Sequence, residues 1–289
     1  MIQRLKRWQA VLFALTAALT VTLSNCAAPQ TPTTSTGAAS PGGSPAAGAS
    51  TLVFGSGGDP ANLEPGNIED GNSIYAQQQI YDRLIDYKAG TTELEPALAT
   101  EWSASSDSRT WTFKLRDGVK FHDGTDFNAE AVRFNVNRWW DKDDPNGFRN
   151  AGKTYAVWEG LFGGYKGSDN SILQNIKVVD DQTIQFALKE PFAAFPAALA
   201  SGYFGIASPD AIKKAGADYG IAGGSAVGTG PYIFKEWRTG DRLLLDKNPN
   251  YWKAGYPKTD QVVFRFIKEP SARLAELRSG SIDFTVDIT

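Results

Sequence analysis

Residues 96–132, PALATEWSASSDSRTWTFKLRDGVKFHDGTDFNAEAV, constrain the fold more than any other stretch of this chain. Residues 110–115 alternate, with Trp111, Phe113 and Leu115 on one face and Thr112 and Lys114 on the other. That is the period-2 pattern of a half-buried strand. Arg116-Asp117-Gly118 and His122-Asp123-Gly124 each read as tight turns, because glycine tolerates the positive φ such turns use. Asn128 then stands where a helix N-cap belongs, ahead of Val132, Val136, Trp139 and Trp140 on one helical face. A hairpin folding back onto a helix is therefore the expected local unit.

The run ALA-x-EW, then TWTFKLRDGVKFHDGT and N-AEAV, resembles the signature of the family 5 extracellular solute-binding proteins, the peptide-, dipeptide- and nickel-binding receptors of ABC importers. Residues 87–99, YKAGTTELEPALA, are most similar to the dipeptide-binding branch. Two later blocks carry the same resemblance: VGTGPYIFKEW with GDRLLLDKNPNYW, and RLAELRSGSIDF.

The resemblance implies a mixed α/β fold, a periplasmic-binding-protein type 2-like body with a discontinuous first domain. Residues 51–86 and 205–275 would form domain I. Residues 87–204 would form the inserted domain II, and 276–289 the start of a domain III whose remaining lobe is missing. The family pattern continues for about as many residues again, so either a piece of a longer receptor or a shortened product is expected. The Asp and Arg that clamp a dipeptide in such receptors have no counterpart in these 289 residues. Strand edges and apolar surface near residues 282–288 are expected to be exposed.

The amino terminus reads as a secretion signal over residues 1–26. Arg4, Lys6 and Arg7 precede an apolar run at residues 11–21 that is too short for a confident membrane span. Leu23-Ser24-Asn25-Cys26 resembles a bacterial lipobox with Cys26 as the lipidated residue, although Asn25 stands where Gly or Ala is usual. Residues 27–50 hold no charged side chain and are rich in Ala, Gly, Ser, Thr and Pro. Such a segment cannot bury enough apolar surface to offset its ordering entropy, and it reads as a disordered tether. The expected location is the periplasm or cell envelope, on a lipid anchor.

Cys26 is the single cysteine and His122 the single histidine. A disulfide within the chain, a Cys- or His-pair metal site and a thiol catalyst are all excluded. Residues 1–26 carry three of the 29 basic residues and none of the 32 acidic ones, so the remainder has a net charge of −6. An acidic body argues against nucleic acid as a partner. A Ser-His-Asp enzyme would depend on His122, and no G-x-S-x-G elbow accompanies it. Gly228 and Gly230 lack the Gly-Lys-Ser/Thr of a phosphate loop and read as a structural crossing near a hinge. No enzymatic activity and no cofactor are expected.

The candidate ligand contacts lie at the end of the first strand, at Gly55, Ser56, Gly57, Gly58 and Asp59. Glycines there let a ligand approach the backbone, which in the resembling family hydrogen-bonds a peptide. Tyr155 and Trp158, aromatic and close to glycines, are further candidates for the rim of a cleft. The expected function is capture of di- or oligopeptides and delivery to an ABC permease. Nickel complexes or oligosaccharides are alternative ligands. A non-binding interaction lipoprotein is the alternative of another class.

Overall fold

The computed structural model of the protein describes residues 50–288. The expectations for the signal, for Cys26 and for tether residues 27–49 lie outside that range. Ser50 belongs to the folded body. Its carbonyl accepts from the amides of Asp260 and Gln261 at 2.8 and 3.1 Å, and its hydroxyl donates to Asp260 Oδ2 at 2.9 Å.

Strand β1 (Thr51–Ser56) is followed by helix α1 (Gly71–Ile80) and a short hairpin, β2 (Ile85–Tyr87) with β3 (Leu94–Pro96). The spacing of Ile74, Tyr81, Leu84 and Ile85 predicts a helix over residues 73–86. It stops instead at Ile80, because the Ile80 carbonyl is taken by the Gly230 amide at 2.9 Å and Tyr81 turns extended. Next come β4 (Ala99–Ala104), β5 (Thr110–Leu115), α2 (Ala129–Trp140) and α3 (Ala156–Phe162), then β6 (Leu173–Asp180) and β7 (Thr183–Leu188). Strands β4, β5, β7 and β6 form an antiparallel sheet in that order, and α2 lies against it. The Asn128 side chain caps α2 by accepting from the Ala131 amide at 3.0 Å. Gly118 and Gly124 occupy the two tight turns with φ of 71° and 86°.

Beyond α4 (Phe195–Leu199) lies α5 (Pro209–Ala215), capped by Ser208 as its Ser-Pro start predicts. Strands β8 (Tyr232–Arg238), β9 (Arg242–Lys247) and β10 (Gln261–Phe266) are followed by α6 (Pro270–Ser279) and β11 (Phe284–Thr285). Ser271, ahead of Leu274 and Leu277, reads from the sequence as the cap of α6. The cap position is Glu269 and Pro270 opens the helix, so Ser271 lies within its first turn. The second sheet runs β11-β1-β10-β9-β8, with β1 lying between β10 and β11 and parallel to both. Within β11 and its surroundings Ile282 is buried, whereas Phe284 and Ile288 are 54% and 40% exposed.

Buried apolar side chains gather in two clusters. One draws on residues 84–206 and is centred on Phe113, Trp139, Trp158, Phe186 and Phe195. The other joins Phe54, Ile80 and Tyr81 to Leu243, Leu245, Val262 and Phe264 from the five-stranded sheet.

Buried polar groups meet where the clusters adjoin. Glu64, fully buried, receives Arg138 and Lys153 and accepts from the Tyr155 hydroxyl at 3.0 Å. Lys153 also donates to the Tyr219 carbonyl at 2.9 Å. The segment Gly228-Thr229-Gly230 crosses between the clusters close to the backbone of Ile80 and Tyr81. The Asp82 carboxylate accepts from Thr229 Oγ1, Tyr251 OH and Trp252 Nε1, each at 2.8 Å. Burial lifts the Asp82 carboxyl above its ordinary value, against the pull of those three donors.

Candidate ligand-binding site

In sheets with parallel strands, ligands bind outside the strands' carboxyl ends, where loops diverge and backbone groups lack ladder partners. Here the carboxyl ends of β1, β10 and β11 lie side by side, and the β8–β9 turn closes the same edge. The sequence candidates at residues 55–59 occupy the middle of this edge.

Each has a defined place. Gly55 is buried, and its carbonyl accepts from Thr285 Oγ1 at 2.7 Å. Ser56 is 2% exposed; its carbonyl accepts the Ile267 amide at 2.8 Å, and its hydroxyl lies 2.9 Å from two acceptors, the Gly58 carbonyl and Asn72 Oδ1. A hydroxyl has one proton to give, so Ser56 donates to one of these two oxygens at a time. Asp59 holds the β8–β9 turn, accepting from Trp237 Nε1 and the Gly240 amide, each at 3.0 Å. Gly57 is exposed and Gly58 half-buried. Neither donates its amide to another group among the described residues. Two main-chain N–H groups thus stand at the surface, held by neighbours that are themselves tied down.

Tyr155 and Trp158 do not line this edge. Both are 0% exposed. The Trp158 ring stacks on Phe162 at 4.1 Å between centroids and meets Phe204 edge-on at 5.6 Å. The Tyr155 hydroxyl is spent on Glu64. Neighbouring glycines suggested an exposed surface, but Trp158 in helix α3 and Tyr155 just ahead of it both face inward, where their large apolar area is most stabilising.

His122 is part of the crossing. Its Nε2 lies 2.9 Å from the Gly230 carbonyl and its main-chain amide 2.8 Å from the Gly228 carbonyl.

Asn72, Trp237 and Arg273 were not singled out from the sequence. Arg273 lies within the block RLAELRSGSIDF, but nothing in its spacing distinguished it from the solvated arginine at position 278.

Among the described residues no helix is long and apolar enough to cross a membrane, and no cluster of His, Cys, Asp and Glu has the makings of a metal site.

Known proteins resemble this chain throughout the described body. Heme-binding protein A of Haemophilus influenzae is 34% identical over 244 residues, covering 81% of this chain and 43% of the relative. The dipeptide-binding protein of Escherichia coli is 34% identical over 242 residues, covering 80% and 44%. The periplasmic binding protein DppA from Helicobacter pylori, solved with the peptide STSA, superposes with a TM-score of 0.71 at 35% identity, covering 80% of this chain and 45% of that one. The chain therefore spans somewhat under half the length of the relatives it matches. Residues 93–289 match the family described as bacterial extracellular solute-binding proteins, family 5 Middle, and this chain belongs to that family.

Proposed function

We propose that this chain is the amino-terminal part of a peptide receptor serving an ABC importer. The observation that carries the reading is the pair of unpaired amides at Gly57 and Gly58, at the carboxyl edge of three parallel strands. Main-chain donors recognise what all peptides share, the carbonyl groups of the backbone, and leave ligand side chains free to vary. Relatives named for dipeptides, for glutathione and for di- and tripeptides favour the same ligand class. Gly55, Ser56 and Asp59 are assigned the task of holding the two amides in place. Tyr155 and Trp158 are given no ligand contact.

In this reading Cys26 carries the lipid, residues 27–49 tether the body in the periplasm or cell envelope, and a membrane permease receives the peptide. Residues 51–86 with 205–275, and residues 87–204, are read as domains I and II.

Thermal melting of the longest natural product that contains this chain, with a panel of di- and tripeptides, tests the function. A ligand that binds only the folded state raises the melting temperature by mass action. A rise with some peptides, reduced by Gly57→Pro, which deletes one amide donor, is expected. No shift with any peptide would overturn the receptor reading in favour of an interaction lipoprotein.

A further inference from the structure

Arg273 is 3% exposed, yet it pairs with no carboxylate among the described residues. Two of its three guanidinium nitrogens donate to main-chain carbonyls, while Nε has no partner among the described residues. Nη1 donates to Ile267 at 2.7 Å and to Lys268 at 2.8 Å, and Nη2 donates to Asp287. Residues 267 and 268 leave the carboxyl end of β10, and residue 287 leaves that of β11. The third parallel strand, β1, joins the same knot through the Ile267 amide, which donates to the Ser56 carbonyl. Gly57 lies directly above: a β-carbon built there would stand 3.6 Å from Arg273 Nη1.

A buried cation is costly unless its surroundings supply oriented acceptors. Three carbonyls at the ends of two strands do so here, and in return the planar fork fixes the spacing of those strand ends. A lysine would bring the charge without the fork.

We propose that Arg273 is a positioning residue for ligand binding: it ties the ends of β10 and β11 under Gly57 and thereby sets the direction of the Gly57 and Gly58 amides. It touches no ligand itself. The inference rests on the reading of those amides as the peptide contact, and the test separates the two.

The full chain is labelled with 15N-glycine, and the Gly57 and Gly58 resonances are assigned by single substitution. Arg273→Lys and Arg273→Gln are then compared with the wild type in melting temperature, in those two resonances, and in affinity for the peptide giving the largest thermal shift, with alanyl-alanine as the fixed probe. The expected result is displaced Gly57 and Gly58 resonances, core glycine resonances unmoved, a melting temperature within a few degrees of wild type, and affinity weaker by roughly tenfold, the equivalent of a lost charge-assisted hydrogen bond. Resonances of Gly57 and Gly58 that stay in place in both variants overturn the proposal, whether or not peptide binds. If both variants melt far below wild type, Arg273 is a support of the whole body, and the positioning role is likewise overturned. A wild-type chain that binds no peptide while the two resonances still move removes the receptor reading and leaves the tie intact.

Discussion

The Nε2 atom of His122 donates to the Gly230 carbonyl at 2.9 Å, and this bond fastens the loop after β5 to the segment that crosses between the two apolar clusters. The carbonyl can only accept, so Nε2 carries the proton, and Nδ1, 3.4 Å from the Gly228 amide, is left as an acceptor. The ring is thereby suited to its neutral form.

That geometry has a pH consequence. Burial pushes the His122 ring below its ordinary value of 6.5, against the opposing pull of the Gly230 bond and the Asp123 charge. The unfolded chain then takes up the proton more readily than the folded one. The contribution of the ring to stability is complete above about pH 6.5 and is lost as the pH falls through the lower folded value. Urea unfolding of wild type and His122→Asn is expected to differ by about 1 kcal/mol at pH 8, with the gap shrinking towards pH 5. A gap that widens on acidification would contradict the neutral assignment.

Among the described residues Glu64 is the one carboxylate paired with both Arg138 and Lys153, all three being buried. Glu64→Gln leaves two cations without their counter-charge. A loss of about 3–5 kcal/mol is expected from urea unfolding, as for other buried pairs stripped of one partner. A loss below about 1 kcal/mol would mean that water reaches the cluster.

Trp158 tests whether its aromatic surface belongs to the core. Trp158→Ala is expected to cost about 3–5 kcal/mol and Trp158→Phe much less, because the ring fills space among Trp139, Phe162 and Phe204. Peptide affinity of whatever Trp158→Phe protein remains folded is expected to match wild type. An affinity change without a stability change would return this residue to the ligand site.

Two glycine-to-alanine exchanges are expected to act with opposite sign. A β-carbon on Gly228 would stand 2.2 Å from the Ile80 carbonyl oxygen, a backbone atom that cannot swing away. Gly228→Ala is expected to cost about 1–3 kcal/mol. Gly160 lies inside helix α3 with open space where its β-carbon would be. Gly160→Ala is expected to stabilise by up to about 1 kcal/mol, the difference in helix propensity. Thermal melts of the two variants side by side decide it.

Much of the architecture was legible wherever a local rule and the final fold agreed. Residues 110–115 form β5 as their alternation predicts, and Asn128 and Ser208 cap the helices they precede. The hairpin of β6 and β7 follows from the alternating Ile184, Phe186 and Leu188. The end of α1 was not legible, because residues 81–85 keep a helical pattern while a backbone partner 150 residues away takes the Ile80 carbonyl. Nor were the three strand ends at the candidate site, since parallel pairing joins residues from distant parts of the chain.

By itself, then, the sequence determined strand β5, the β6–β7 hairpin, the caps of α2 and α5 and the family the chain belongs to, because period, turn residues and capping side chains act within a few positions. It also directed attention to residues 55–59, since a strand running into Gly-Ser-Gly-Gly must expose backbone. Only the tertiary structure decided which of those groups are free. Thr285 takes the Gly55 carbonyl, Ile267 the Ser56 carbonyl and Asp59 the β8–β9 turn, leaving the amides of Gly57 and Gly58. It decided as well that Tyr155 and Trp158 face inward and that Arg273 lies under Gly57. Each of these depends on which distant group reaches a given donor, acceptor or surface first, and no local pattern encodes that competition.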